Sequence, residues 1–147
     1  MRVVFADTSA IVRAYLLDEA DHAELRRLVL EDENAVLVSE IARVEFARAM
    51  RSAARARRID DWAIVVDRFD ADCQADGPIR LVELRPRSVL RTAQRLVLEH
   101  QLGTLDAIHL AVAIEEREMI TDMGPLVFLT RDDDQATAAR AEGFEVL

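Results

Sequence analysis

Four acidic residues lie at positions where surface solubility alone does not explain a carboxylate. Asp7 directly follows the first apolar run of the chain, and Asp132 closely follows a later one. Glu45 borders an apolar stripe with helical spacing, and Asp106 opens a segment that is apolar on nearly every side. Acids in such surroundings are candidates for metal binding or catalysis.

A divalent cation would explain why these acids converge. Burying an unpaired carboxylate is costly or raises its pKa until it protonates, and each further carboxylate raises the pKa of the next. A cation removes this repulsion, and an all-oxygen ligand set suits Mg²⁺ or Mn²⁺. The chemistry that such a site supports is metal-assisted phosphodiester hydrolysis, which needs no histidine base.

Each acid also has a simpler structural interpretation when it is taken alone. Asp7 fits an Asx-turn, Asp106 fits the first turn of a helix, and Asp132 fits a helix N-cap. Glu45 has Arg48 and Arg51 nearby as possible ion-pair partners. Their joint placement along one predicted sheet edge favours the shared site.

The elements that position these acids alternate between strands and helices. Short apolar runs predict buried strands at 3–6, 35–39, 79–84, 127–130 and 144–146. Helical spacing of apolar residues predicts helices at 10–17, 22–31, 40–58, 61–73, 86–100, 105–116 and 133–142, with 119–126 irregular. Residues 1–147 are therefore expected to form a single domain of the α/β class, a three-layer α/β/α fold with a parallel sheet of about five strands. In such a fold, sites form beyond the carboxyl ends of the strands, where Asp7 and Asp132 fall.

The composition excludes several chemistries. The chain has 28 Asp and Glu residues against 19 basic ones, a formal net charge of −9, and every basic residue is an arginine. Without lysine there is no P-loop of the usual kind and no Schiff-base chemistry on a side-chain amine. The acidic total argues against a nucleic-acid partner unless the arginines are concentrated in one place.

The arginines are in fact unevenly distributed. Residues 43–58 hold six arginines and one acid, Glu45, which gives a local net charge of +5. Arginine pairs with phosphates in a bidentate manner and stacks on unpaired bases, so this segment is a candidate surface for binding a nucleic acid. A second basic run spans 85–95, and solvated faces paired with nearby acids remain the alternative for both.

Other single residues carry less functional signal. His109 follows Asp106 by three residues and is interpreted as a hydrogen-bonded helix residue rather than as a second ligand. The hydroxyls of Thr8, Ser9 and Thr130 are candidates for orienting a carboxylate or a water, with capping an equal alternative for the first two. One cysteine allows no internal disulfide, and no apolar stretch of about 18 residues is present. We therefore expect a cytoplasmic protein with no membrane partner.

The chain resembles the PIN-domain ribonucleases, and most closely the VapC toxins of bacterial toxin–antitoxin pairs. The resemblance lies in four segments that occur in the family's order: FADTSA at 5–10, SEIARVEF at 39–46, LDAIHLA at 105–111 and LTRD at 129–132, the last followed by Ala138, Ala139 and Gly143. The third segment is the most specific of the four. The segment 119–125 departs from the pattern because it is longer than expected, and Asp133 and Asp134 compete with Asp132 as the fourth acid.

This resemblance implies a function and a set of partners. It implies that Asp7, Glu45, Asp106 and Asp132 are the catalytic, metal-binding acids, with Mg²⁺ as the cofactor and Mn²⁺ as a possible substitute. It implies an endoribonuclease that cleaves single-stranded or loop RNA and leaves a 5′-phosphate. It also implies a homodimer, and a cognate antitoxin that blocks the acidic pocket.

Two other classes of protein share part of this pattern. A phosphatase of the haloacid dehalogenase type also places an aspartate after its first strand, but it needs a second aspartate where Ser9 stands, and a lysine. A regulatory α/β module that binds metal or RNA without catalysis, as a degenerate nuclease, is the remaining alternative. Cleavage assays with and without Mg²⁺ distinguish the two.

Overall fold

A parallel β-sheet forms the centre of the molecule. The computed structural model describes residues 1–120 and 122–147. Across these residues the sheet has five strands, β1 (Val3–Ala6), β2 (Ala35–Ser39), β3 (Ile79–Val82), β4 (Leu126–Leu129) and β5 (Glu145–Val146). Their order is β3-β2-β1-β4-β5, and each neighbouring pair is parallel.

Helices cover both faces of this sheet. They are α1 (Thr8–Tyr15), α2 (His22–Arg26), α3 (Ala42–Arg55), α4 (Trp62–Asp72), α5 (Pro86–Glu99), α6 (Thr104–Met119) and α7 (Asp133–Ala141). A π-helical turn, Arg27–Glu31, continues α2. None of the described helices is both long and apolar enough to cross a membrane.

Alternate residues of the strands pack into two separate apolar cores. In β1, Val3 and Phe5 join the core beneath α5, α6 and α7, whereas Val4 and Ala6 join the core beneath α1, α3 and α4. A strand buried on both faces needs apolar residues throughout, which is why the strands of this sheet are continuous apolar runs. The prediction of a three-layer α/β/α fold with a parallel five-stranded sheet is confirmed.

The strand order creates a crevice at one edge of the sheet. The chain leaves β1 for β2 and β3 on one side and later returns to place β4 on the other side of β1. The two connections therefore diverge beyond the carboxyl ends of β1 and β4, where ligands bind in open α/β sheets. A hydrogen bond of 2.9 Å from the backbone N–H of Asp7 to the carbonyl of Leu129 fixes the two strand ends beside each other.

Several element boundaries differ from those predicted from the sequence. Helix α1 begins at Thr8 rather than at residue 10, because Asp7 serves as its N-cap in place of Thr8 or Ser9. Helix α3 ends at Arg55 rather than at residue 58, because Arg57 adopts a φ of 56°, in the left-handed region. Thr121, in the segment predicted to be irregular, lies outside the described residues.

Candidate metal centre

Asp7 is a buried carboxylate with a protein donor at each oxygen. Its side chain caps α1, where Oδ2 accepts a hydrogen bond of 2.9 Å from the backbone N–H of Ser9. Its Oδ1 accepts a second bond, of 3.0 Å, from Nε2 of Gln135. The structure thus contains the capping role that was the simpler interpretation of Asp7. Capping holds the carboxylate in the crevice, so it is compatible with metal binding by the same residue.

Glu45 reaches the crevice from the first turn of α3. Its Oε1 accepts a hydrogen bond of 2.9 Å from the hydroxyl of Thr8 and also contacts Nε2 of His109. Burial by itself would raise the pKa of Glu45, but the hydrogen bond and charge of His109, with the Thr8 hydroxyl, outweigh it and hold this pKa below its usual value. Glu45 is therefore ionised at neutral pH. It makes no ion pair with Arg48 or Arg51 among the described residues, so that alternative interpretation is wrong.

His109 is a fully buried residue of α6 that faces the acids. Its Nε2 lies 3.2 Å from the Thr8 hydroxyl oxygen and 3.9 Å from Oδ1 of Asp7. Burial alone would lower the pKa of His109, but the Glu45 hydrogen bond and the charges of Asp7, Glu45 and Asp106 raise it instead. Its Nδ1 has no hydrogen-bond partner within the described part of the chain. His109 is thus a buried basic side chain in contact with the acids, a role that sequence reasoning missed.

Asp106 is the acid most affected by its neighbours. It lies in the first turn of α6 and is half-buried. Burial first, and then the charges of Asp7, Asp132 and Glu45, raise its pKa to about 6, although His109 acts in the opposite direction. The field at Asp106 therefore contains contributions from all three of the other predicted site residues, which places the four acids in one electrostatic cluster. We call Asp7, Glu45, Asp106 and Asp132 the acid centre.

Asp132 is distinguished from the two acids that follow it. Its Oδ1 accepts a hydrogen bond of 2.8 Å from the backbone N–H of Gln135, so it is the N-cap of α7. Asp132 is half-buried, whereas Asp133 and Asp134 are exposed. Among these three acids, Asp132 is therefore the one that faces the crevice.

Gln135 connects three members of the acid centre, and sequence reasoning missed it. Its side chain is fully buried. Besides its bond to Asp7, Nε2 donates to the backbone carbonyl of Asp106 at 3.2 Å, and Oε1 accepts from the Thr130 hydroxyl at 2.6 Å. Because the same residue donates its backbone N–H to Asp132, it fixes the relative positions of β1, α6 and α7 at the crevice.

The hydroxyls of Thr8, Ser9 and Thr130 also form hydrogen bonds around the acid centre. The Ser9 hydroxyl oxygen accepts a hydrogen bond of 3.0 Å from the backbone N–H of Arg131 and lies 3.3 Å from the Thr130 hydroxyl oxygen. The Thr130 hydroxyl oxygen also accepts from the backbone N–H of Asp132 at 3.1 Å. Thr8 orients a carboxylate, whereas Ser9 and Thr130 connect the start of α1 to the loop after β4.

The residues of the acid centre fit a divalent cation by their chemistry. No arginine forms an ion pair with any of the four carboxylates within residues 1–120 and 122–147, and His109 is the basic side chain in contact with them. Four acids beside one histidine leave an excess of negative charge, which the raised pKa of Asp106 reflects. Oxygen ligands with uncompensated charge are those that Mg²⁺ and Mn²⁺ prefer.

A second group of carboxylates and histidine lies at the other side of the fold. Ligand atoms of Glu99, His100 and Glu142 lie within 4.8 Å of one another, and in the described residues no other such group of three is this compact. Arg95, however, donates to both oxygens of Glu142, at 2.9 and 3.1 Å, and to Glu99 at 2.8 Å. We call these four residues the Arg95 cluster. Its guanidinium pairs with both carboxylates, so the cluster is a salt-bridge network.

Comparison with known proteins identifies a family and a similar fold. The family model for the PIN domain matches residues 4–141. Among solved structures, the fold is similar to that of VapC20 from Mycobacterium tuberculosis, which is described as a toxin that cleaves the sarcin–ricin loop. The two share 18% sequence identity with a TM-score of 0.63, over 96% of this chain and 95% of the other. No curated protein sequence matches this chain.

Proposed function

This chain belongs to the PIN domain family, and on that premise we propose that it is an endoribonuclease that hydrolyses RNA phosphodiester bonds with a bound Mg²⁺, for which Mn²⁺ can substitute. The observation that carries the proposal is the acid centre, four carboxylates with no arginine to neutralise them among the described residues. Asp7 and Asp106 would hold the ion, and Glu45 and Asp132 would complete its shell or orient water.

The protein's own groups prepare this site for hydrolysis. When bound, Mg²⁺ would supply a water of lowered pKa and would neutralise the negative charge that develops on the phosphoryl oxygens. Ser9 and Gln135 hold both oxygens of Asp7, so that this carboxylate cannot rotate out of the crevice. Thr8 and His109 hold Glu45. Attack of water on phosphorus breaks the bond to the 3′ oxygen and leaves a 5′-phosphate.

A cleavage assay tests the enzymatic proposal. Purified protein is incubated with RNA in Mg²⁺ or in EDTA. The variant Asp7→Asn is compared with Asp133→Asn, which removes an exposed acid next to Asp132 in the sequence. We expect cleavage only with the metal, its loss in Asp7→Asn and its retention in Asp133→Asn. Equal cleavage in EDTA would contradict metal dependence. Metal binding without cleavage of any RNA would instead favour the non-catalytic regulatory module.

We further propose that the protein is the toxin of a toxin–antitoxin pair, acting in the cytoplasm as a homodimer. The similarity in fold to VapC20, itself described as a toxin, supports this role. Expression of the chain is expected to arrest growth, and co-expression of a short open reading frame beside its gene is expected to restore growth. Arrest that persists in Asp7→Asn would argue against RNA cleavage as its cause.

A further inference from the structure

Three arginines form an exposed row along the outer face of α3. Arg48, Arg51 and Arg55 follow one another at intervals of three and four residues, the spacing that places side chains on one face of a helix. The opposite face of α3 is buried through Ala42, Phe46, Met50 and Ala53. We call Arg48, Arg51 and Arg55 the arginine row. It begins one turn after Glu45 and extends away from the acid centre.

The arginine row is not neutralised by the protein. The neighbouring Arg43 pairs with Asp70, and Arg58 pairs with Asp18 and Glu19. No carboxylate lies within ion-pair distance of Arg48, Arg51 or Arg55 among residues 1–120 and 122–147. The row is therefore an uncompensated positive surface on a chain whose net charge is −9, and it can bind an anionic partner.

An aromatic side chain supports the middle of the row. The guanidinium carbon of Arg51 lies 4.9 Å from the centroid of the Trp62 ring, at the start of α4. Trp62 remains 38% exposed. The ring holds the Arg51 guanidinium plane in place, and such a plane is a surface on which an unpaired base stacks.

An open cleft runs beside the row and reaches the acid centre. It has a volume of about 690 Å³ and lies between α1 and α3. Thr8, Glu45 and Arg48 are among the polar residues that line it, while Val12, Val44 and Leu105 supply apolar walls. Val44 and Leu105 are exposed, so these walls are accessible to a planar apolar group.

We propose that the arginine row and this cleft form the path along which an unpaired RNA segment extends from the acid centre. The phosphates lie on Arg48, Arg51 and Arg55, and the bases occupy the cleft or stack on Arg51. Arg55 lies ten helical steps after Glu45, a span of about 15 Å at the rise of an α-helix. This is the length of roughly four stacked nucleotides. The inference rests on the proposed function for the identity of the ligand.

The chemistry of the path favours unpaired RNA over other polyanions. A duplex presents phosphates but keeps its bases inside the helix, so it has nothing to place in the apolar cleft or on Arg51. An acidic peptide would satisfy the arginine charges, but it gains nothing from the exposed stacking plane of Arg51. A single strand uses both features at once.

The binding experiment uses two triple variants with the same change in charge. Arg48→Gln/Arg51→Gln/Arg55→Gln removes the row, and Arg87→Gln/Arg91→Gln/Arg140→Gln removes three arginines on α5 and α7. The control arginines are also exposed and also have no carboxylate partner among the described residues. Each triple is made in the wild type and in Asp7→Asn, and binding of an eight-nucleotide single-stranded RNA is measured against salt concentration. Wild-type protein in EDTA provides a second non-cleaving form.

Loss of the row is expected to weaken binding at least tenfold at low salt. It should also reduce the slope of log affinity against log salt by about 2, because each single-strand phosphate contact contributes about 0.7. Steady-state cleavage by the row variant should show a raised KM with a nearly unchanged kcat. Equal losses in the two triple variants would overturn the path.

Trp62 gives an independent readout because it is the chain's one tryptophan. Its fluorescence is expected to change when single-stranded RNA binds, and to change less with a duplex of the same length or with poly-glutamate. A fluorescence that does not respond to saturating single-stranded RNA would overturn the path, as would stronger binding of the duplex or of poly-glutamate. Wild-type protein that binds RNA through the row but never cleaves it would contradict the proposed function and support the path.

Discussion

The acid centre and the Arg95 cluster each combine carboxylates with one histidine, yet their charges are balanced in opposite ways. In the Arg95 cluster, hydrogen bonds from Arg95 and His100 lower the pKa of Glu142 to about 2. In the acid centre, burial and neighbouring carboxylates raise the pKa of Asp106 to about 6. The two pKa shifts have opposite signs because a guanidinium pairs with Glu142, whereas among the described residues no guanidinium pairs with Asp106.

This difference shows that proximity of ligand atoms alone does not identify a metal site. The Arg95 cluster is the more compact, but an arginine already pairs with both of its carboxylates. The acid centre is held by side-chain and backbone donors that orient its carboxylates without neutralising all of them. The uncompensated charge, rather than the closeness of the atoms, is what a cation would relieve.

Among the changes that test this difference between the two groups, removal of the Asp106 carboxylate should have the largest effect on cleavage. We expect Asp106→Asn to reduce cleavage at least about 100-fold, because it removes one ionic ligand. It should also raise the melting temperature in EDTA by a few degrees, because it relieves repulsion in the metal-free protein. Cleavage rates and thermal unfolding in EDTA provide the two measurements. Normal cleavage by this variant would remove Asp106 from the site.

Loss of Gln135 should have the next largest effect. Gln135→Met keeps the approximate shape but removes the donor to Asp7 and to the Asp106 carbonyl. A lost orienting bond of this kind costs about 10–100-fold in metal affinity or activity. The Mg²⁺ concentration that gives half-maximal cleavage should rise accordingly, and Mn²⁺ affinity measured by electron paramagnetic resonance should fall.

Thr137→Ala is the control for that change, since Thr137 lies on the exposed side of the same helix. It should leave the dependence on both metals unaltered. If Gln135→Met showed the wild-type dependence while remaining folded, Gln135 would be a packing residue only.

The smallest effect is expected in the Arg95 cluster and concerns stability alone. Glu142→Gln should lower the free energy of unfolding by about 1–2 kcal/mol at pH 7 and leave cleavage intact. Because folding lowers the pKa of Glu142 from 4.5 to about 2, its charge stabilises the protein above pH 4.5, and this contribution disappears as the pH falls through 2. The difference in urea denaturation between variant and wild type should therefore shrink with acidification. A constant difference down to pH 2 would show that charge is not its cause.

The sequence was sufficient for the class of fold and for the placement of two of the acids at one edge of the sheet. Asp7 and Asp132 follow apolar strands, and the parallel-sheet rule brings the ends of such strands to one edge. The order of the strands was not predicted, because it depends on contacts between residues far apart in the chain.

Gln135 and His109 were missed for a related reason. The pair Asp132 and Gln135 has the spacing of a capping box, which was a usable signal for a helix start. In the structure the Gln135 side chain turns instead to Asp7, more than 120 residues away in sequence. The role of His109 was ambiguous for the same reason. What the Nε2 atom of His109 contacts depends on the position of Glu45 in the folded protein.

The most direct test of the acid centre is the location of a bound cation. Crystals grown or soaked with Mn²⁺ would be measured by anomalous diffraction at the manganese edge. The expected result is a peak among Asp7, Glu45, Asp106 and Asp132, and none at the Arg95 cluster. A peak only beside Glu99, His100 and Glu142, or an empty acid centre at saturating Mn²⁺, would contradict the assignment of the metal to the uncompensated carboxylates.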